Sequence, residues 1–284
     1  MATITNQAAL SYNGITTLSN VAVGELVEVL AASKNAAGDT YTAGGMKTFT
    51  ISLVNSGATA LTGLTVTDTL GSYSFGSGTL YPMTYVNGSL LYYVNGVLQA
   101  APTVTATTPL TVAGLTIPAG GNAMLVYSAN VNEYAPLGVE DSITNTATVT
   151  GGGLANPVTA TETINASVAP QLAISKGISP TTIAENGTVT YTLTLLNRGS
   201  AAATAADDLV ITDTFDPVLK NVSVRFNGTL WTAGTQYTYN AATGVFTTTA
   251  GALTVPAATF TQDPTTGVFT VDPGTAQLTI TGTL

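Results

Sequence analysis

Six polar residues stand in register with apolar ones, and they are of three kinds. A lysine shares the apolar side of the alternating runs Leu30, Ala32, Lys34 and Leu172, Ile174, Lys176. An aspartate does so in Leu64, Val66, Asp68 and in Leu209, Ile211, Asp213. An asparagine does so in Ile143, Asn145, Ala147, Val149 and in Ile4, Asn6, Ala8, Leu10. Side chains at i, i+2 and i+4 of a strand share one face, so each set predicts a Lys, an Asp and an Asn facing one core. An unpaired buried charge is very costly, and a buried amide without partners costs roughly 2–7 kcal/mol. Two accounts satisfy the pattern. One is a buried Lys–Asp ion pair with Asn as a hydrogen-bonding neighbour. The other is a reaction among the three. Desolvation lowers a lysine pKa and raises an aspartate pKa. A neutral amine then attacks the Asn carboxamide carbon, while a protonated Asp hydrogen-bonds the carboxamide oxygen and relays protons as ammonia leaves. The product is a Lys–Asn isopeptide bond, made once and without a cofactor; Asp68 and Asp213 are the catalytic candidates.

Strands must position these groups. Alternation dominates Thr48–Val54, Leu64–Asp68, Ile143–Val149, Thr188–Leu195 and Leu209–Asp213. Asn-Gly and Asn-x-Gly turn signals separate the runs, as at Asn55-Ser56-Gly57, Asn87-Gly88, Asn95-Gly96, Asn186-Gly187 and Asn227-Gly228. No stretch has a sustained helical period. The expected fold is all-β: two tandem immunoglobulin-like β-sandwich domains with an N-terminal donor hairpin. The expected boundaries are 1–29 for hairpin and linker, 30–166 for the first sandwich and 167–284 for the second.

Self-similarity runs along nearly the whole chain. Residues 30–70 match 172–215, 92–102 match 224–234, and 117–131 match 271–284. Residues 4–34 match 143–176: ITNQAALS repeats as ITNTATVT, and Asn13-Gly14 stands where Gly151-Gly152-Gly153 stands. Leu284 thus falls where Val131 falls in the first copy, ahead of any counterpart of Asn145. The second domain is expected to be unclosed, and the N-terminal hairpin to be a spare closing piece whose Ile4, Ala8 and Leu10 complete a core. About nine residues, Glu25–Ser33, lead from hairpin to first domain and span at most ~30 Å. A second copy is therefore the simpler recipient, unless the domains fold back on each other.

Composition removes other chemistries. The chain of 284 residues has no His and no Cys, which excludes zinc sites, disulfides and the usual Ser-His and Cys-His triads. Only 7% of residues are charged and the net charge is −9, which argues against a nucleic-acid partner. No run is long enough to span a membrane, and MATITNQAAL is not a secretory signal. Asp207-Asp208 with Asp213 and Asp216 raises calcium, but the spacing matches no EF-hand loop; a solvated acidic loop is the plainer reading. No metal and no cofactor are expected.

The units LAISKG, TYTLTLLNRG, VITDTF and ITNTATVTGGG resemble the DUF11 repeat of bacterial surface proteins. That resemblance implies an immunoglobulin-like fold, and the Lys/Asp/Asn set is similar to that of pilin and adhesin domains with autocatalytic isopeptide bonds. The whole chain also resembles fibre subunits of clostridial endospore appendages. The resemblance implies Lys34–Asn145 as the bond within the first domain, with Asp68. It implies Lys176 and Asp213 in the second, completed by Asn6 of another chain. The expectation is an extracellular, self-associating structural subunit on a spore or cell surface, not a conventional enzyme. The alternative is a monomeric surface adhesin or ligand-binding module with the intramolecular bond only.

Overall fold

In a computed structural model, residues 2–284 are described. The chain forms two compact units: residues up to 39 with 44–132 and 144–164, and residues 40–43 with 133–143 and 165–284. Strands make up nearly all the regular structure in both.

In the first unit, one sheet has the strand order Val97–Leu98, Leu91–Val94, Asn122–Val131, Met46–Asn55, Leu30–Ala36. A second runs Thr103–Thr107, Leu110–Ile117, Leu61–Asp68, Ser142–Gly151, Val158–Ala166. The period of two explains the core. Phe49, Ile51 and Leu53 alternate inward with Thr48, Thr50 and Ser52 outward. Leu64 and Val66, Leu110 and Val112, and Ala147 and Val149 supply the opposing face. At the end of Met46–Asn55, buried Asn55 donates to the carbonyls of Thr59 and Pro118 and accepts from Gly57 N–H. Asn197 repeats this clamp in the second unit on Ala201, Pro256 and Gly199. Each pins a turn that the sequence marks only as Asn-x-Gly.

The second unit pairs Leu172–Ser179, Thr188–Asn197, Gly274–Thr283, Lys220–Phe226 and Thr229–Leu230 in one sheet. A second sheet has three short strands, Thr212–Thr214, Val245–Thr248 and Tyr237–Tyr239, and Thr259–Gln262 pairs with Phe269–Asp272 in a two-stranded one. Val189, Leu193, Leu195, Phe246, Leu278 and Ile280 form its core. The run Leu209–Asp213, expected to be one strand, is extended by ladder bonds only over Thr212–Thr214. The cause is local: Leu61–Asp68 is held by ladders on both sides, whereas Thr212–Thr214 is the edge of its sheet.

The N-terminal segment is a long antiparallel hairpin. Ala2–Asn6 pairs with Ala22–Leu26 and Ala9–Tyr12 with Ile15–Leu18, around Asn13-Gly14. Asn13 (φ 47°) and Gly14 (φ 78°) are both left-handed, the conformation a two-residue hairpin loop requires. Every residue from Thr3 to Glu25 is exposed, including Ile4, Leu10, Tyr12, Ile15 and Leu18.

Candidate functional site

In the first unit, strand geometry delivers the lysine, aspartate and asparagine to one buried cluster. Lys34 lies opposite Ile51, and its ammonium pairs with the Asp68 carboxylate; both side chains are fully enclosed. Asp68 ends its strand between Leu110 and Ala147. Asn145, two residues before Ala147, is wholly buried on the same side of its strand. The Lys34 Nζ stands 5.0 Å from the ring centre of Phe49 and 5.9 Å from that of Tyr127. Burial pulls the Lys34 pKa down to about 8, against the opposing pull of Asp68 and of Glu162. A good part of this amine is therefore neutral in mildly alkaline water.

The carboxamide is held at both ends. Its oxygen accepts from the Thr69 hydroxyl at 3.2 Å and from the Gly71 backbone N–H at 3.1 Å. Its nitrogen donates to the Tyr127 hydroxyl at 3.0 Å. Burial, then the neighbouring Asp68, holds the Tyr127 pKa well above the ordinary value, so Tyr127 keeps its proton. The remaining Asp68 oxygen accepts from Leu70 N–H at 3.0 Å. The hydrogen bond to the carboxamide oxygen, expected from Asp68, thus comes from Thr69 and Gly71, while Asp68 faces the amine. Thr69, Gly71 and Tyr127 were not foreseen. Thr69 was findable, because it recurs as Thr214 after Asp213. Tyr127 was not: it faces Phe49 across its ladder, whereas Ile280 occupies the matching place opposite Tyr191.

The second unit holds the same pair in an open setting. Lys176 Nζ lies 2.5 Å from Asp213, and 4.7 and 5.2 Å from the ring centres of Tyr191 and Phe215. Its side chain is 40% exposed and that of Asp213 15%, against 0% and 1% for Lys34 and Asp68. The whole strand Leu172–Ser179 is exposed, with Leu172, Ile174 and Ile178 among the large apolar side chains in solvent. Asn6 lies in the hairpin opposite Ala22 and is also exposed, as are Ile4, Ala8 and Leu10. The acidic run is otherwise explained: Asp207 accepts from the Thr204 N–H and hydroxyl and caps a short 3-10 turn, Ala205–Asp207.

No protein-family model matches the chain, that of the DUF11 repeat included, and no curated protein matches it. Among solved structures it is similar to BcpA, the major pilin subunit of Bacillus cereus, at 13% identity and a TM-score of 0.35, over 96% of this chain and 73% of that one. It is similar to the pilus backbone RrgB from Streptococcus pneumoniae at 11% identity and a TM-score of 0.32, over 86% of this chain and 55% of that one. A family 123 glycoside hydrolase from Clostridium perfringens is similar at 11% identity and a TM-score of 0.31, over 49% of this chain and 27% of that one. The chain therefore spans little more than half of the pilus backbone and about a quarter of the hydrolase.

Proposed function

We propose that this chain is a structural subunit of an extracellular filament on a cell or spore surface, in which the hairpin of one copy enters the second unit of the next. One observation carries the reading. The first unit covers its lysine strand with Ser142–Gly151 and Val158–Ala166, while the second unit leaves the matching strand bare and the hairpin carries the matching residues unburied. Superposing the repeats supports one register for that entry. Ala147 faces Asp68 and Val149 faces Val66, so Ala8 would face Asp213, Leu10 would face Ile211, and Asn6 would stand where Asn145 stands. Each large apolar side chain so covered contributes about 1.5–3 kcal/mol, and the bare edge at Thr212–Thr214 gains a ladder.

The recipient is a second copy. The hairpin ends at Leu26 and the lysine strand of the same unit begins at Leu30; four peptide steps reach at most about 14 Å, which keeps the hairpin close to that strand. The contact is heterologous and propagates into an open chain unless its rotation closes a ring. Lys34–Asn145 within a copy and Lys176–Asn6 between copies then form isopeptide bonds. The neutral lysine nitrogen bonds to the carboxamide carbon, and the carbonyl electron pair moves to the oxygen. The aspartate carboxylate takes one proton from the attacking nitrogen and returns it to the amide nitrogen. That carbon–nitrogen bond breaks, ammonia leaves with its electron pair, the carbonyl re-forms and the carboxylate is restored.

Deleting residues 2–26 tests the assembly. The expected result is loss of multimers, with ammonia still lost at Lys34–Asn145. Boiling-resistant multimers that survive the deletion sink the filament reading. A full-length chain that stays monomeric at high concentration favours a single-copy adhesin, or closure of the second unit by a different protein.

A further inference from the structure

The reaction read above creates a negative oxygen on the asparagine carboxamide, and something must receive it. We propose that the Thr69 hydroxyl and the Gly71 backbone N–H form an oxyanion cradle that activates Asn145, making Thr69 a catalytic residue. This rests on the isopeptide reading and deepens it.

Three observations, two in the first unit and one in the second, converge on the cradle. First, the direction of the hydrogen bonds is forced. A backbone N–H can only donate, so the atom 3.1 Å from Gly71 N is the carboxamide oxygen. The Thr69 hydroxyl accepts the Thr146 N–H at 3.0 Å, which turns its own proton toward that oxygen at 3.2 Å. Both donors therefore meet the atom on which charge develops, on a wholly buried carboxamide, and preorganised donors act most strongly where water is excluded. Second, the backbone is bent to make this possible. Leu70 has φ 51° and Gly71 φ 73°, a left-handed pair that sends two successive N–H groups inward, one to Asp68 and one to Asn145. For a leucine that conformation is strained, and such strain clusters at functional sites. Third, the second unit keeps the hydroxyl but arranges the turn differently. Thr214 follows Asp213 as Thr69 follows Asp68, yet Phe215 N–H donates to Gly244 and Asp213 accepts from Thr214 N–H. The cradle thus accompanies a seated asparagine.

The test uses full-length chain synthesised in vitro, with loss of one ammonia followed by mass spectrometry and the cross-linked peptide identified. Thr69→Val should slow bond formation by about 10²- to 10³-fold, the usual effect of deleting one oxyanion donor, and Thr69→Ser should restore most of the rate. A Thr69→Val chain that folds, by its thermal unfolding, and reacts at the unaltered rate overturns the proposal. A second arm does not depend on the bond. In Lys34→Ala, which cannot react, the Gly71 amide should be protected from hydrogen exchange, and adding Asn145→Ala should remove that protection. Unchanged Gly71 exchange overturns the cradle even where the bond forms. Absence of ammonia loss from the unaltered chain, with Gly71 protected, refutes the bond and leaves the oxygen site standing.

Discussion

A lysine whose pKa has fallen to about 8 is a different reagent from one in water, whose amine is free only near 10.5. Under the proposed reaction, the rate of Lys34–Asn145 bond formation should climb with pH and level off above about 8. The direction follows from the nucleophile: below that value the amine carries a proton and has no lone pair to offer, and above it more alkali adds nothing. A rate still climbing toward 10.5, or flat throughout, would count against attack by this amine. At this scale much of the site was legible. Lys34, Asp68 and Asn145 announced themselves as polar residues in apolar register, and a second copy of the pattern repeated the spacing. The cradle was not legible, because it depends on backbone angles at Leu70 and Gly71, and leucine is among the residues least expected to turn left-handed. Tyr127 was hidden by the same repeat that exposed the others, since Ile280 stands in its place.

Strands decide whether these residues are buried at all. Leu30–Ala36 and Leu172–Ser179 have closely similar sequences, yet Leu30 and Lys34 are buried where Leu172 and Lys176 are exposed, so burial here belongs to the covering strands. The alternation of Thr48–Val54 was enough to assign a strand because it has partners on both sides. The equal alternation of Leu209–Ile211 was not, because Thr212–Thr214 is an edge. If the hairpin is the missing cover, one charge on its inward face should stop it seating. Leu10→Asp is expected to reduce multimers at least about tenfold while the melting of the first unit stays unchanged, since a carboxylate placed against Ile211 must be desolvated without a partner. Growth of multimers at the normal rate by Leu10→Asp chains would place the hairpin elsewhere. Ser11→Thr is the control: its side chain falls on the opposite face of the same strand, and the variant should assemble normally.

For the molecule as a whole, the short tether between Leu26 and Leu30 has a mechanical consequence. Pull on a chain of linked copies and the load enters each lysine strand at Leu30, four residues before Lys34. It leaves beyond Asn145. With the Lys34–Asn145 bond in place, tension passes straight from one of these residues to the other, and the chain from Asn35 to Thr144 carries none of it. The first unit would then behave as an inextensible link. Stretching linked copies one molecule at a time should show no lengthening step from Asn35–Thr144, and Lys34→Ala should introduce one. A step of that length in unaltered copies would mean that the load runs through the folded sheets and that they, not a covalent strut, set the strength of the fibre.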